Sequence, residues 1–226
     1  MEKLGTNYGG WHIPIDIELN ENSIVYSAGV GEDISFDILL SDKYNSNIYL
    51  IDPTNKSKIH YKETINYFLN NLKFIGNIQN DYYDKIAGKH PNFNKIFYND
   101  IGLWNKKDTL KFYKQQNTNY VSQSLIEGMF TSNYDIVKVD TIKNIMLLNN
   151  HTFIDLLKLD IEGAEINVLE QMLDDNIFPK YLCVEFDLKL KQKDIYNLTD
   201  KLINRLLSFN YVILINDDLN ITFKRI

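Results

Sequence analysis

Apolar and polar positions fall into alternating blocks: short apolar runs of strand length, each followed by a stretch with helical spacing. Residues 24–28 form a β-rich run that meets Gly29-Val30-Gly31, and from Asp33 to Leu40 the spacing turns helical, with Ile34, Phe36 and Ile38 facing inward. Residues 47–51 predict a second strand, closed by Asp52-Pro53 because proline cannot continue a ladder. A helix is predicted over 58–72 on the stripe Ile65, Phe68, Leu69 and Leu72, whereas 77–94 lacks a period and reads as loop. Strands over 95–98, 110–113 and 136–139 surround a polar, asparagine-rich stretch, 115–131, long enough to cover a cleft. A short helix over 141–148, capped by Thr141 or Asp140, precedes a strand over 153–159, a helix over 163–173 and a strand over 181–186. A helix over 193–207 and a hairpin of 211–215 and 221–224 end the chain. Residues 1–22, with Tyr8-Gly9-Gly10-Trp11, read as an irregular lead-in.

Strand and helix alternating in this way predict an α/β fold: a doubly wound, mostly parallel sheet, with an antiparallel strand contributed near one edge by the terminal hairpin. The 226 residues suit one domain over 23–226, behind a lead-in over 1–22 that would cover an acceptor site. Composition adds little: 44% apolar and 24% charged residues are ordinary for a globular chain. The formal net charge of −6 weighs against a nucleic-acid partner, which needs a dominant basic surface. The one cysteine, Cys183, lies within an apolar run and reads as a small core hydrophobe with no disulfide. The N-terminus has no apolar signal region and no run reaches membrane-spanning length, so the expectation is a cytoplasmic chain without membrane insertion. Its oligomeric state is open.

Two segments concentrate candidate chemistry. At Gly29 and Gly31 a strand becomes a helix through residues without Cβ atoms, so backbone N–H groups can approach a ligand closely. Asp52, about twenty residues on, ends the next strand, where a carboxylate can accept ribose hydroxyls. The pair implies an adenosine ligand. A nicotinamide site would want a third glycine where this chain has Ile34, and Glu32 and Asp33 would repel a pyrophosphate. A cationic sulfonium and amine would be welcome there, which favours S-adenosylmethionine over NAD. In the second segment the apolar run 153–159 stops at Asp160-Ile161-Glu162-Gly163-Ala164-Glu165, so carboxylates gather at the strand edge where α/β sheets place ligands.

The chain resembles the FkbM family of S-adenosylmethionine-dependent methyltransferases. The matching stretches are Ser27-Ala28-Gly29-Val30-Gly31-Glu32-Asp33, Tyr49-Leu50-Ile51-Asp52-Pro53-Thr54, Ile101-Gly102-Leu103-Trp104, Leu110-Lys111-Phe112-Tyr113, Val139-Asp140-Thr141-Ile142, Leu157-Lys158-Leu159-Asp160-Ile161-Glu162-Gly163-Ala164-Glu165 and Val184-Glu185-Phe186. The resemblance implies a Rossmann-like class I methyltransferase fold, S-adenosylmethionine as cofactor, and O-methylation of a hydroxyl on a sugar, glycoconjugate or other small-molecule or glycan acceptor. It implies cofactor contacts from Ser27, Ala28, Gly29, Gly31 and Asp33, a ribose contact from Asp52 with Pro53 beside it, Asp100, Ile101, Gly102 and Leu103 near the adenine, and Asp160 beside the methyl group. Ser27 departs from the family, which often has an acidic residue opening the loop; a hydroxyl there would meet the cofactor's amine without charge.

In-line methyl transfer is largely positioning, and a sugar hydroxyl gains from a general base. The candidates are Asp160, Glu162, Glu185 and His12. Asp160, Glu185 and Asp187 offer hard oxygen ligands, but without a His or Cys framework no metal is assigned. Tyr8, Trp11, Trp104 and Tyr120 are aromatics able to stack on a sugar ring, Trp11 beside two glycines foremost. The alternatives are a nucleotide-cofactor oxidoreductase using NAD, and a non-catalytic interaction protein on a cofactor fold.

Overall fold

The structure is a computed structural model and describes residues 1–73, 78–117, 121–190, 197–217 and 219–226. Strands β1 (Glu2–Leu4) and β2 (Trp11–Ile13) pair antiparallel, with Leu4 opposite Trp11 and Glu2 opposite Ile13. The expected irregular lead-in is therefore ordered at its start as a hairpin. The alternation Trp11-His12-Ile13 buries both apolar residues in the core beneath it, a period-2 signal too short to stand out in sequence.

Strand β3 (Ile24–Ala28), helix α1 (Ser35–Tyr44), strand β4 (Asn47–Ile51) and helix α2 (Asn55–Asn70) follow in order. Helix α2 begins at Asn55 rather than Lys58 because the Thr54 hydroxyl caps it, accepting from the Ser57 N–H at 3.2 Å. Part of the segment read as loop forms the short helix α3 (Tyr82–Ile86), before strand β5 (Ile96–Asn99). Tyr82 and Ile86, four residues apart, are both fully buried, and the Tyr82 hydroxyl lies 3.0 Å from His60 Nε2, so one buried pair fixes this single turn of helix. That burial pushes the His60 imidazole down to about 3.

Strands β6 (Gly102–Leu103), β7 (Asp108–Lys114), β8 (Gln123–Ser124) and β9 (Tyr134–Asp140) make a separate sheet in the order β6-β9-β7-β8. Two predicted strands thus leave the main sheet. Strand β9 exposes Tyr134 and Ile136 while burying Val137 and Val139, which an antiparallel pair with one wet face tolerates.

Helix α4 (Ile142–Leu148) is capped by the Thr141 hydroxyl. Then come strand β10 (Leu156–Leu159), helix α5 (Glu165–Asp174), strand β11 (Tyr181–Glu185), helices α6 (Asp187–Leu190) and α7 (Leu198–Ser208), and strands β12 (Tyr211–Asp217) and β13 (Asn220–Arg225). Of the predicted features, Tyr120, the start of the 193–207 helix, Asp218, and parts of the 77–94 and 115–131 segments lie outside the described residues.

The main sheet has seven strands in the order β12-β13-β11-β10-β3-β4-β5. It is mixed: β11, β10, β3, β4 and β5 run parallel, and β13 is antiparallel to both β11 and β12. Side chains alternate between its faces. Tyr26, Leu157, Leu159, Leu182 and Val184 pack with α4, α5 and α7, whereas Val25, Leu50, Leu156 and Cys183 pack with α1, α3 and the N-terminal hairpin. Because β3 and β10 are neighbours, their carboxyl ends bring the glycine loop and the carboxylate segment side by side.

Candidate functional site

Asp160 N–H donates to the Ala28 carbonyl at 3.2 Å, directly beyond the β3–β10 ladder. The contact between the two loops is so close that a Cβ on Gly29 would lie 1.6 Å from the Asp160 carbonyl oxygen. Gly29 also has φ +70, and Gly31, at φ +52, would bring a Cβ to 3.0 Å from Val121. Gly29 requires glycine for both space and conformation, whereas at Gly31 the left-handed backbone is the stronger reason.

Asp52, at the end of β4, braces this loop. Its Oδ2 accepts from Gly31 N–H at 3.0 Å, and its Oδ1 accepts from the Thr54 N–H at 2.8 Å and the Thr54 hydroxyl at 2.7 Å. Three of about four acceptor positions on the carboxylate are filled, so about one more hydroxyl can be received. Burial raises the Asp52 carboxyl, while these hydrogen bonds and Lys158 oppose the rise.

Lys158, in β10, has no role assigned to it from the sequence. Its ammonium is nearly buried, donates to the Gly29 carbonyl at 2.8 Å and lies 3.5 Å from Asp160 Oδ2. The Trp11 ring sits 5.9 Å away on another side. A charge inside an apolar strand run is itself a signal, because it cannot be buried without partners. Asp37, fully buried on α1, feels the same cation, but its burial still pushes the carboxyl up to about 6.

At the carboxylate edge the three acids take different positions. Asp160 and Glu162 line the cleft, and Glu162 holds a left-handed φ of 55 that is uncommon for a residue with a side chain. The Ser124 hydroxyl fastens that turn through the Glu162 carbonyl. Glu165 instead turns inward, its Oε1 accepting from the Ile161 and Gly163 N–H groups at 2.9 and 3.2 Å. Burial raises the Glu165 carboxyl to about 8. Asp187, at the start of α6, rises to about 10 through burial and then through the charges of Glu165, Glu162, Asp160 and Glu185.

The hairpin completes the site. Thr6 binds the start of α1 twice, its N–H donating to Ser35 Oγ at 2.9 Å and its hydroxyl to Asp33 Oδ2. Gly9 lies against Asp33 so tightly that a Cβ would come within 2.7 Å of its carboxyl carbon. Tyr8 is thereby held over the cleft, 65% exposed. The cover over its ring and then the Asp160, Glu162 and Glu185 charges lift its phenol to about 12, with Ser122 opposing.

These walls border a cleft of about 790 Å³ when its open, solvent-filled mouth is counted. Of the residues singled out in sequence, Gly29, Gly31, Asp33, Asp52, Pro53, Gly102, Asp160 and Glu162 line it. Glu32, Tyr8, named as an aromatic able to stack on a sugar, and Leu103, expected near the adenine, line it too. So do Thr54, Phe112 and Lys158, which lie in the matching stretches without an assigned role, and Val121, to which no motif pointed. Ser27 and Ala28 are fully buried in β3 and are not among the lining residues; Ser27 packs beside Asp37. Asp100 faces outward, ion-paired with Lys58 at 2.6 Å, and Ile101 packs on the core. Glu185 stands behind the wall at the end of β11, opposite Asn220. His12 pairs with Lys3 in the hairpin and receives the Thr222 hydroxyl on its carbonyl, away from the lining. Trp11 is buried rather than available for stacking. Among the described residues, no group of three His, Cys, Asp or Glu is arranged to hold a metal ion, and no helix is long and apolar enough to cross a membrane.

The model of the family described as the methyltransferase FkbM domain matches residues 7–213, so the chain belongs to this family. Neither a curated protein nor a solved structure matches the chain.

Proposed function

We propose that this FkbM-family chain is an S-adenosylmethionine-dependent O-methyltransferase whose acceptor is a hydroxyl of a sugar or glycoconjugate. The observation that carries the reading is the abutment of the Gly29–Gly31 loop, Asp52 and Asp160 around one cleft. The sheet order, with five parallel strands and an antiparallel β13 beside them, supports a Rossmann-like class I methyltransferase fold. The residues present fit the cofactor. The glycines leave a cradle that a Cβ would fill, and Glu32, Asp33, Asp52 and Asp160 suit a ligand bearing a sulfonium and an ammonium. The same acids oppose a pyrophosphate, which argues against NAD.

When bound, the cofactor supplies an electrophilic methyl group. Gly29 and Gly31 offer backbone to its methionine part, Asp52 takes about one ribose hydroxyl, and Pro53 and Gly102 flank the adenine end. Asp160 accepts the proton of the acceptor hydroxyl at Oδ1 or Oδ2, with Glu162 beside it. Lys158 holds Asp160 and the glycine loop in one geometry, which is where an in-line displacement gains most. The N-terminal hairpin, through Tyr8, forms the acceptor wall.

Calorimetry with S-adenosylmethionine, its demethylated product and NAD tests the reading. Binding of the first two and not the third is expected. A folded sample that binds neither sulfur ligand overturns it.

A further inference from the structure

Tyr8 belongs to two hollows. It lines the cleft that holds Asp160, and it also borders a second, more open hollow lined by Asn7, Gln79, Asn80 and Asp81. The two sides of that hollow are tied together, because Asn7 N–H donates to Asp81 Oδ2 at 2.9 Å. Its lining is an aromatic ring, three amide side chains and a carboxylate. Planar donor–acceptor groups around an aromatic face match the hydroxyls and the C–H face of a pyranose.

Charge narrows the ligand further. Glu32, Asp33, Asp52, Asp160 and Glu162 line the main cleft, and Lys158 is the one cation among its described lining residues. That ammonium is committed to the Gly29 carbonyl and the Asp160 carboxylate. No lysine or arginine lines the outer hollow among the described residues. A phosphorylated or otherwise anionic acceptor would meet carboxylates at both ends, with no uncommitted cation among the described lining residues to receive it.

We infer that the acceptor site is extended: an uncharged glycan places the unit to be methylated beside Asp160 and a neighbouring unit across Tyr8 in the hollow of Asn7, Gln79, Asn80 and Asp81. This rests on the methyltransferase reading and adds a second subsite and a charge rule. Methylation would then follow the glycosyl-transfer reaction that releases the nucleoside diphosphate, acting on the assembled neutral glycan and not on a nucleotide-activated sugar.

The test uses the full chain saturated with S-adenosylhomocysteine, whose binding is first verified by calorimetry. Saturation-transfer NMR is then run on neutral mono- to tetrasaccharides of glucose, galactose, mannose, rhamnose and fucose, with the hexose 1-phosphates and UDP- and GDP-sugars as the anionic arm. At least one neutral oligosaccharide should receive saturation on two adjacent units, and the anionic arm on none. Tyr8→Ala should weaken that oligosaccharide roughly tenfold. Gln79→Ala/Asn80→Ala should remove saturation from one unit and leave the other, with S-adenosylhomocysteine affinity unchanged in that variant. The inference is overturned if no neutral saccharide binds to the loaded protein, if the phosphorylated sugars bind preferentially, or if the Gln79/Asn80 variant behaves as wild type. Failure to bind S-adenosylhomocysteine instead overturns the methyltransferase reading beneath it.

Discussion

The two loops that meet at Gly29 and Asp160 solve the same problem with different materials. The glycine side is built from backbone: Gly31 and Thr54 N–H groups point at Asp52, and every oxygen of that carboxylate has a partner. The carboxylate side is built from side-chain charge: Glu162 sits in a left-handed turn, and Glu165 Oε2 and Asp187 Oδ2 are buried without a hydrogen-bond partner. The glycine side is rigid and geometrically exacting, whereas the carboxylate side holds protons and electrostatic strain. A cradle that must fit one cofactor gains from the first. A wall that must accept a proton gains from the second.

The comparison breaks most completely at Gly29. In Gly29→Ala the new methyl would collide with the Asp160 backbone in a left-handed conformation, so both loops must move. Cofactor binding should fall below detection by calorimetry, with a stability loss of roughly 3 kcal/mol in urea titration. A variant with wild-type midpoint and affinity would show that the two loops are not in contact.

Asp160→Asn should act mainly on the other side. It keeps shape and removes the base, so single-turnover rate should drop by about a hundredfold or more, while cofactor affinity, which loses one of the cleft carboxylates, falls by less than about tenfold. Loss of affinity with an intact rate would move Asp160 to the cofactor side. Asp52→Ala should do the reverse, weakening cofactor binding by about tenfold because it removes a ligand group and leaves Gly31 and Thr54 donors unmet. A rate defect at saturating cofactor would contradict it.

The asymmetry also explains what could be read from the chain. Gly29, Gly31 and Asp52 follow from strand–glycine–helix spacing, because local backbone geometry dictates them. Tyr8 and Lys158 do not. Tyr8 reaches the cleft only because Thr6 is tied to Ser35 and Asp33, contacts that bridge distant parts of the chain. Lys158 is one charge in a strand whose partners, Gly29 and Asp160, become apparent only when β3 and β10 pair. Ser27 is buried away from the cleft lining for the same reason: the pleat turns it toward Asp37 and α1, a direction the motif alone does not specify. Strands β7 and β9 are legible in the sequence, but not that they form a sheet of their own, because a strand with one wet face carries no signal for which sheet it joins.

The smallest effect is the one that best isolates the carboxylate side. Glu165 titrates at about 8 when folded, against an ordinary glutamate value near 4 when unfolded. The folded state therefore holds more protons than the unfolded state between those values, so unfolding free energy falls as pH rises through that window. The contribution is complete below pH about 4 and is lost as pH climbs past about 8, with Asp187 extending the decline upward. Glu165→Gln keeps the acceptor oxygen for Ile161 and Gly163 and removes the titration. Urea midpoints at pH 5.5 and 8.5 should then differ less in Glu165→Gln than in wild type, by about 1–2 kcal/mol. Equal pH slopes would mean that Glu165 is ionised at neutral pH. The acids behind Glu162 would then carry full charge, and the wall facing the acceptor would be more strongly anionic than the glycine side it adjoins.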